Sequence, residues 1–526
     1  MREVRDYDVV VAGTGGGGLV GALRAAERGL RVLVLEKSDV CGGTAARSGG
    51  VLWGAGTEAI VRAGQPDSLE LARTYVRNAV SGRTPEALQD AFVDTNSALF
   101  TWLEQHRVGF YYMHNYPDYL PHVEGAILTG RGLAPLPVTQ EFVDGLGYRI
   151  VPRIRGDGGP TMVTLDDKVW GGRALIARLL AANLAAGVQI WTGSPFTGLL
   201  VESGRVVGVR AEHDGETVEI HAPAGVLLAS GGFDHNPELR AKYSKGGRAE
   251  WSLGVDQNTG AALEAGESIG AATDLLEDAW WAPGILYPDG SPGFLLVDVL
   301  GPVGIMVDRD GKRWINEGTS YTYFGHQMVD AAASGRPVLP SWLIFDQRGL
   351  DDYGVSGLRA DDDQTEWLAS GALTRADTVA ELAARLGTPE LPDAVERWNT
   401  LARNGVDEDF QRGEPGSFEH QAWSVFSRFP GVARPHPWPN PCLGPLENGP
   451  FYAMRLVLSD LGTKGGLVCD TEGRVTRPDG SVIDGLYACG NAMATPMGHA
   501  YPGPGSPITP GMVFGMRAAD DMKAPA

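Results

Sequence analysis

Between Tyr7 and Lys37 this chain of 526 residues commits itself to one supersecondary unit. Asp8-Val9-Val10-Val11-Ala12 is a short apolar run suited to a strand buried on both faces, and it leads directly into Gly13-Thr14-Gly15-Gly16-Gly17-Gly18. Leu19, Val20, Leu23 and Ala26 then recur at helical spacing, Gly29 closes the helix, and Arg31-Val32-Leu33-Val34-Leu35 forms the next strand, ended by Glu36 and Lys37. A GxGxxG turn alone is a weak signal. Strand, turn, helix, second strand and terminal carboxylate within about 30 residues specify a dinucleotide site. Gly13 permits the tight turn, Gly15 lets the backbone approach a pyrophosphate, Gly18 lets helix and strand pack closely, and Glu36 can accept from ribose hydroxyls.

A second glycine-rich loop follows, Cys41-Gly42-Gly43-Thr44-Ala45-Ala46-Arg47-Ser48-Gly49-Gly50. Such a segment can lie flat against a ligand and aim several N–H groups at it, and it leaves the second strand on the pyrophosphate side of the sheet. The paired arrangement resembles the flavoprotein subunits of fumarate reductase and succinate dehydrogenase, in which this loop runs along FAD. The resemblance implies FAD rather than NAD, held non-covalently, with Gly43, Thr44, Ser48, Gly49 and Gly50 at the cofactor.

The formal net charge of -21 disfavours nucleic acid or an anionic membrane as partner. The longest apolar stretch, Gly293 to Val307, carries Asp298 and is too short to span a bilayer. Met1 to Asp6 leaves no room for a secretory apolar region, so the expected compartment is the cytoplasm. Cys41, Cys442, Cys469 and Cys489 show neither a CxxC pair nor a histidine at metal spacing. They read as reduced and structural, and no metal site is expected.

Asp67 to Gln105 carries a helical pattern, and Tyr111 to Pro121 concentrates aromatics around two prolines, as a wall of an apolar pocket would. Gly130 to Pro160 reads as irregular. A helix from Gly171 to Ala186, a strand at Val188–Trp191, two antiparallel strands around Ser203-Gly204, and His221 in a turn come next. Gly225 to Ala229 is another buried strand, ending in the cofactor candidates Ser230 and Gly231. From about Asp274 to Gly449 tryptophans, prolines and acidic residues are scattered without a nucleotide motif. Within that stretch Val307–Trp314 signals a hairpin, Trp342–Asp346 a strand, and Ala376–Leu386 and Pro392–Arg403 helices. The expected organisation is α/β: a Rossmann-like FAD-binding domain over residues 1–273 and 450–526, interrupted by an inserted α+β substrate and catalytic domain over 274–449.

The closing stretch contains a strand ending in Gly490 and Asn491, then Met497-Gly498-His499-Ala500-Tyr501-Pro502-Gly503-Pro504-Gly505-Ser506-Pro507-Ile508-Thr509-Pro510-Gly511-Met512, then a helix to Ala519. A helix N-terminus there, with Ile508 as a cofactor candidate, supplies partial positive charge where a reduced flavin carries negative charge. The GHAYPGPG run, the RSGG loop, LGTKGGL at Leu461–Leu467 and NEGTSY at Asn316–Tyr321 together resemble bacterial FAD-dependent 3-ketosteroid Δ1-dehydrogenases. That resemblance implies desaturation of a 3-ketosteroid at its 1,2-bond. Tyr501 O–H and Gly505 N–H would polarise the carbonyl, Tyr321 would take the α-proton with Tyr119 assisting, and the β-hydride would go to flavin N5. Tyr323 competes with Tyr321, and Tyr116, Tyr111 or Tyr112 with Tyr119. His499 reads as structural, and His114 and His326 as ordinary surface or loop residues. Pro507 stands where the steroid enzymes usually have a small non-proline residue, and Ala261 follows Asn258-Thr259-Gly260 in place of an acidic residue. A smaller cyclic ketone therefore remains an alternative substrate. The rival functions are an ene-reductase of the fumarate or urocanate kind, marked by an arginine entering the pocket from the insertion, and a flavin-binding protein without turnover. The electron acceptor has no motif.

Overall fold

The computed structural model describes residues 2–4, 6–154, 168–428 and 437–524. Its nucleotide-side sheet has the strand order Gln189–Trp191, Val32–Leu35, Val9–Ala12, Gly225–Leu228, Val482–Ala488 and Arg474–Thr476, parallel throughout except for the last pair. Val9–Ala12, Val32–Leu35 and Gly225–Leu228 are buried along their whole length, as their unbroken apolar runs require of strands covered on both faces. On one face the helix Gly16–Glu27 crosses the C-terminal helix Thr509–Asp521 so closely that a Cβ on Gly17 would lie 2.6 Å from Gly511 O. This crossing brings the two ends of the chain to one place.

A second sheet, antiparallel, has the order Pro292–Phe294, Ala279–Leu286, Phe451–Thr463, Ser341–Asp346 and Gly304–Val307, with Leu373–Ala376 also paired to Phe451–Thr463. The strand Phe451–Thr463, expected in the returning nucleotide segment, is the central strand of this antiparallel sheet. Its apolar pattern suits either sheet, and tertiary pairing decides. A separate core around Trp398, with Leu382, Leu391 and Val395, covers the far side. A third sheet joins Arg2–Val4, Glu216–His221, Arg205–His213 and Phe196–Glu202. His221 thus ends a strand rather than lying in a turn.

Local differences from the sequence reading have local causes. Asp67 to Gln105 is two helices, Leu69–Val80 and Glu86–Gln105, because Ser81 and Gly82 turn left-handed and Pro85 opens the second. The later helix begins at Val379, where Thr378 caps it by accepting from Glu381 N–H. The Val307–Trp314 hairpin shrinks to a single bridge, Val307 to Arg313, because the Asp308 carboxylate takes the N–H groups of Asp310 and Lys312. Gly130–Pro160 contains the short strands Gly132–Pro135, Val138–Thr139 and Arg149–Ile150 and the helix Gln140–Asp144, while 155–160 lies outside the described residues. The four cysteines are buried and free, and burial pushes Cys41, Cys442 and Cys489 up to about 12, so they stay thiols. No helix among the described residues is long and apolar enough to cross a membrane.

Candidate active site

One cavity is lined by the Gly13 turn at one end and by Tyr116, Tyr119, Tyr321 and Tyr501 at the other. Gly13, Gly15, Gly18, Glu36, Lys37, Gly43, Thr44, Ser48, Gly49, Gly50, Ser230, Gly231, Gly490, Asn491 and Ile508 all line it, as do Tyr119, Tyr321, Tyr501 and Gly505. At the turn, Gly13 has φ +111°, and a Cβ there would sit 2.4 Å from Ala229 O. Glu36 is buried. One carboxylate oxygen accepts from the Thr14 N–H at 3.2 Å and from the Thr14 hydroxyl, the other from Ser38 N–H at 3.0 Å. Burial raises its pKa against those hydrogen bonds. Thr14 also accepts from Gly42 N–H at 2.8 Å, so it fastens the first glycine loop to the second. No sequence signal separates Thr14 from the variable position of the turn motif.

The cavity wall is built to receive a ligand. The helix Gly16–Glu27 has neither a side-chain cap nor an acidic residue in its first turn, so its free N–H groups face the cavity. A Cβ on Gly15, Gly43 or Gly490 would meet nothing within 4 Å, and the buried Ser230 Oγ has no hydrogen-bond partner. The helix Thr509–Asp521 also starts at the cavity without an acidic residue in its first turn.

At the other end four phenols meet. Tyr321 O–H donates to Tyr501 Oη at 2.7 Å, Tyr119 Oη lies 3.1 Å from Tyr321 Oη, and Tyr116 Oη lies 3.1 Å from Tyr119 Oη. Tyr323 is exposed, Tyr111 is 37% exposed, and Tyr112 is spent on backbone carbonyls, so Tyr321 and the Tyr116–Tyr119 pair are the residues brought together. Burial, and then neighbouring phenol oxygens, push Tyr119 and Tyr321 well above the ordinary phenol range, while the hydrogen bond from Tyr119 acts on Tyr321 in the opposite sense. Among the described residues nothing accepts the Gly505 N–H, and that glycine has φ +96°. A Cβ at Gly505 would lie 2.4 Å from Trp53 N.

The support is also specific. Pro502 O accepts both Tyr119 N–H at 2.8 Å and Tyr75 O–H at 2.6 Å. Asp118, next to Tyr119, accepts Trp53 Nε1–H at 2.9 Å and pairs with buried Arg131, which also reaches Asp67 at 2.9 Å. His326, read as an ordinary residue, instead contacts Asp278 at 2.9 Å, and so does His499. Their ligand atoms and that of Asp278 lie within 4.8 Å of one another. Lys464 Nζ lies 3.4 Å from Asp278 and Arg83 Nε donates to His499 at 3.2 Å, so the histidines join a hydrogen-bonded cluster around the Asp278–Lys464 ion pair.

Residues 8–508 match the FAD binding domain family. The chain belongs to this family. It is 39% identical to a 3-oxosteroid 1-dehydrogenase of Mycobacterium tuberculosis, over 98% of each sequence. It is 36% identical to the 4-oxocyclohexanecarboxylate 2-dehydrogenase of Sinomonas cyclohexanicum, over 97% of this chain and 92% of that one. Its fold matches that of the 3-ketosteroid Δ1-dehydrogenase of Sterolibacterium denitrificans, solved with 1,4-androstadiene-3,17-dione, at TM-score 0.90 and 32% identity over 99% of both chains. The protein is an FAD-dependent oxidoreductase. FAD fits the cavity as described: the capless helix suits its pyrophosphate, Glu36 its ribose, the open Gly15, Gly43 and Gly490 its close approach, and Ser230 Oγ lacks only a ligand partner.

Proposed function

We propose that this enzyme desaturates a ring ketone next to its carbonyl, and that its substrate is a 3-ketosteroid oxidised at the 1,2-bond. The observation that carries the reading is the chain of phenols Tyr119–Tyr321–Tyr501, which lines the same cavity as Gly505 and the glycine loops fitted to FAD. Tyr501 O–H and Gly505 N–H hydrogen-bond the carbonyl and stabilise the enolate-like charge that develops on it. The α C–H bond breaks toward Tyr321 Oη in its phenolate form, which becomes the phenol, and Tyr119 O–H stabilises the phenolate charge by hydrogen bonding. The double bond forms as the β-hydrogen leaves as hydride. Bound FAD supplies the two-electron acceptor.

Several features favour a steroid over a small charged ketone. Around the phenols the lining is apolar, with Met113, Phe294, Leu296 and Phe426. The cationic residues among the described lining are Lys37 and Arg47, in the nucleotide-binding loops, and a carboxylate-bearing ring would need one beside the phenols. The same point speaks against an ene-reductase for dicarboxylates. Arg313 and Arg412 of the insertion are buried on Glu317, and Arg313 on Asp407 as well, and neither lines the cavity. Non-covalent FAD is supported by a described lining that contains no histidine and whose one cysteine, Cys489, is held as a thiol.

The test compares kcat/KM for 4-androstene-3,17-dione and 4-oxocyclohexanecarboxylate with an artificial acceptor. The expected preference for the steroid is about 100-fold or more, since several ring carbons are buried. Preference for the carboxylate would move the substrate and keep the chemistry, and inactivity with both would overturn the reading.

A further inference from the structure

The LGTKGGL segment holds a lysine that no step above uses. Lys464 is fully buried, and its Nζ donates to His499 O at 2.7 Å and to Ala500 O at 3.1 Å while lying 3.4 Å from Asp278 Oδ2. Its backbone is fixed on both sides: the N–H donates to Asp278 O at 3.1 Å, and the carbonyl accepts from Thr495 N–H at 3.2 Å. The Ala500 carbonyl belongs to the peptide group that carries the Tyr501 nitrogen. Trp280 fills the space between, its ring 4.7 Å from Nζ and edge-on to the Tyr501 ring at 5.2 Å. A buried ammonium is costly, and balancing Asp278 would need only one of its three donors. Here two of them go to consecutive carbonyls leading into the residue whose hydroxyl meets Tyr321.

We infer that Lys464 is a positioning residue for ketone oxidation: it clamps the His499 and Ala500 carbonyls and, with Trp280, sets the Tyr501 hydroxyl where the substrate carbonyl arrives. This rests on the ketone-oxidising function proposed above. The hydrogen bond from Tyr501 strengthens as charge develops on the carbonyl, so loss of the clamp falls on kcat rather than KM.

The test uses holoenzyme of two variants. Lys464→Arg keeps a charge opposite Asp278, but its planar fork cannot bring one nitrogen to both carbonyls. Lys464→Met combined with Asp278→Asn removes both charges together. FAD content, melting temperature, and kcat and KM for 4-androstene-3,17-dione are measured beside the unaltered enzyme. The expected result is retained FAD with kcat down by about 100-fold in both variants and KM within about threefold. Unaltered kcat in either variant overturns the inference, including the case in which the double variant recovers turnover by charge balance alone. Loss of FAD from both also overturns it, by making Lys464 a folding residue. Failure of the unaltered enzyme to oxidise the steroid counts instead against the proposed function, so the two failures are distinguishable.

Discussion

Tyr321 donates a 2.7 Å hydrogen bond to Tyr501, 180 residues away in the chain. Tyr119 reaches the same oxygen of Tyr321 from a third segment, at 3.1 Å. The three phenols therefore keep their geometry only while three distant segments of the chain stay packed together. Pro502 O is the anchor common to two of them, since it follows Tyr501 and accepts the Tyr119 N–H at 2.8 Å.

Replacing Tyr321 by Phe removes the oxygen proposed to take the α-proton and leaves the apolar ring. Steroid-driven flavin reduction is expected to slow by about 100- to 10,000-fold, the usual contribution of a positioned base. Steroid affinity and melting temperature should change little, as stopped-flow reduction, equilibrium titration and calorimetry would check. A loss smaller than tenfold would assign the base elsewhere.

The pH dependence has a definite sign. Burial, then neighbouring phenol oxygens, raise the Tyr321 pKa, so the base form is scarce near neutrality and grows with pH. Between about pH 7 and pH 10, kcat/KM should climb without a plateau, and the Tyr321→Phe variant should lose the slope. The same shift stabilises the protonated folded state. That stability is complete below the unfolded phenol value of about 10 and is lost as pH rises toward the folded value. A rate profile and a melting curve across this range test both statements.

Arg131 is buried between Asp67 and Asp118, which are themselves buried. Arg131→Met should cost about 3–5 kcal/mol in unfolding free energy, because it leaves carboxylates without their cation. Denaturant titration measures it. Turnover at low temperature should fall as well, since Asp118 adjoins Tyr119.

Two glycines of the first turn should respond differently to alanine. Gly15→Ala adds a methyl that meets no protein atom within 4 Å, so the apoprotein should melt unchanged while FAD binds more weakly. Gly13→Ala forces a Cβ to within 2.4 Å of Ala229 O at φ +111°, and the apoprotein itself should lose about 1–3 kcal/mol. Equal effects on FAD-free melting would contradict the cradle as described.

The parts legible in the sequence are those whose cause is local. Glycine turns at Gly13–Gly18 and Gly42–Gly50 follow from backbone conformations and close approaches few residues permit, and the fully buried strands follow from unbroken apolar runs. Tyr501 and Gly505 came from a motif, and the structure puts both in the cavity beside Tyr321. What stayed hidden depends on distant partners. The strand Phe451–Thr463 has a pattern either sheet accepts, and nothing local marks Lys464 as a buried lysine or His326 as an Asp278 partner. Thr14 occupies a variable place in its motif, so its bond to Glu36 appears only in three dimensions.

The most direct measurement is an anaerobic single turnover with 4-androstene-3,17-dione carrying deuterium at C1 or at C2, following flavin absorbance and identifying the product by mass spectrometry. Desaturation by this site predicts bleaching of the flavin, formation of the 1,4-diene in stoichiometric amount, loss of the label from either carbon, and slower bleaching with the C1 label, where the hydride departs. Absence of bleaching, or bleaching with the C1–C2 bond still saturated, would contradict it.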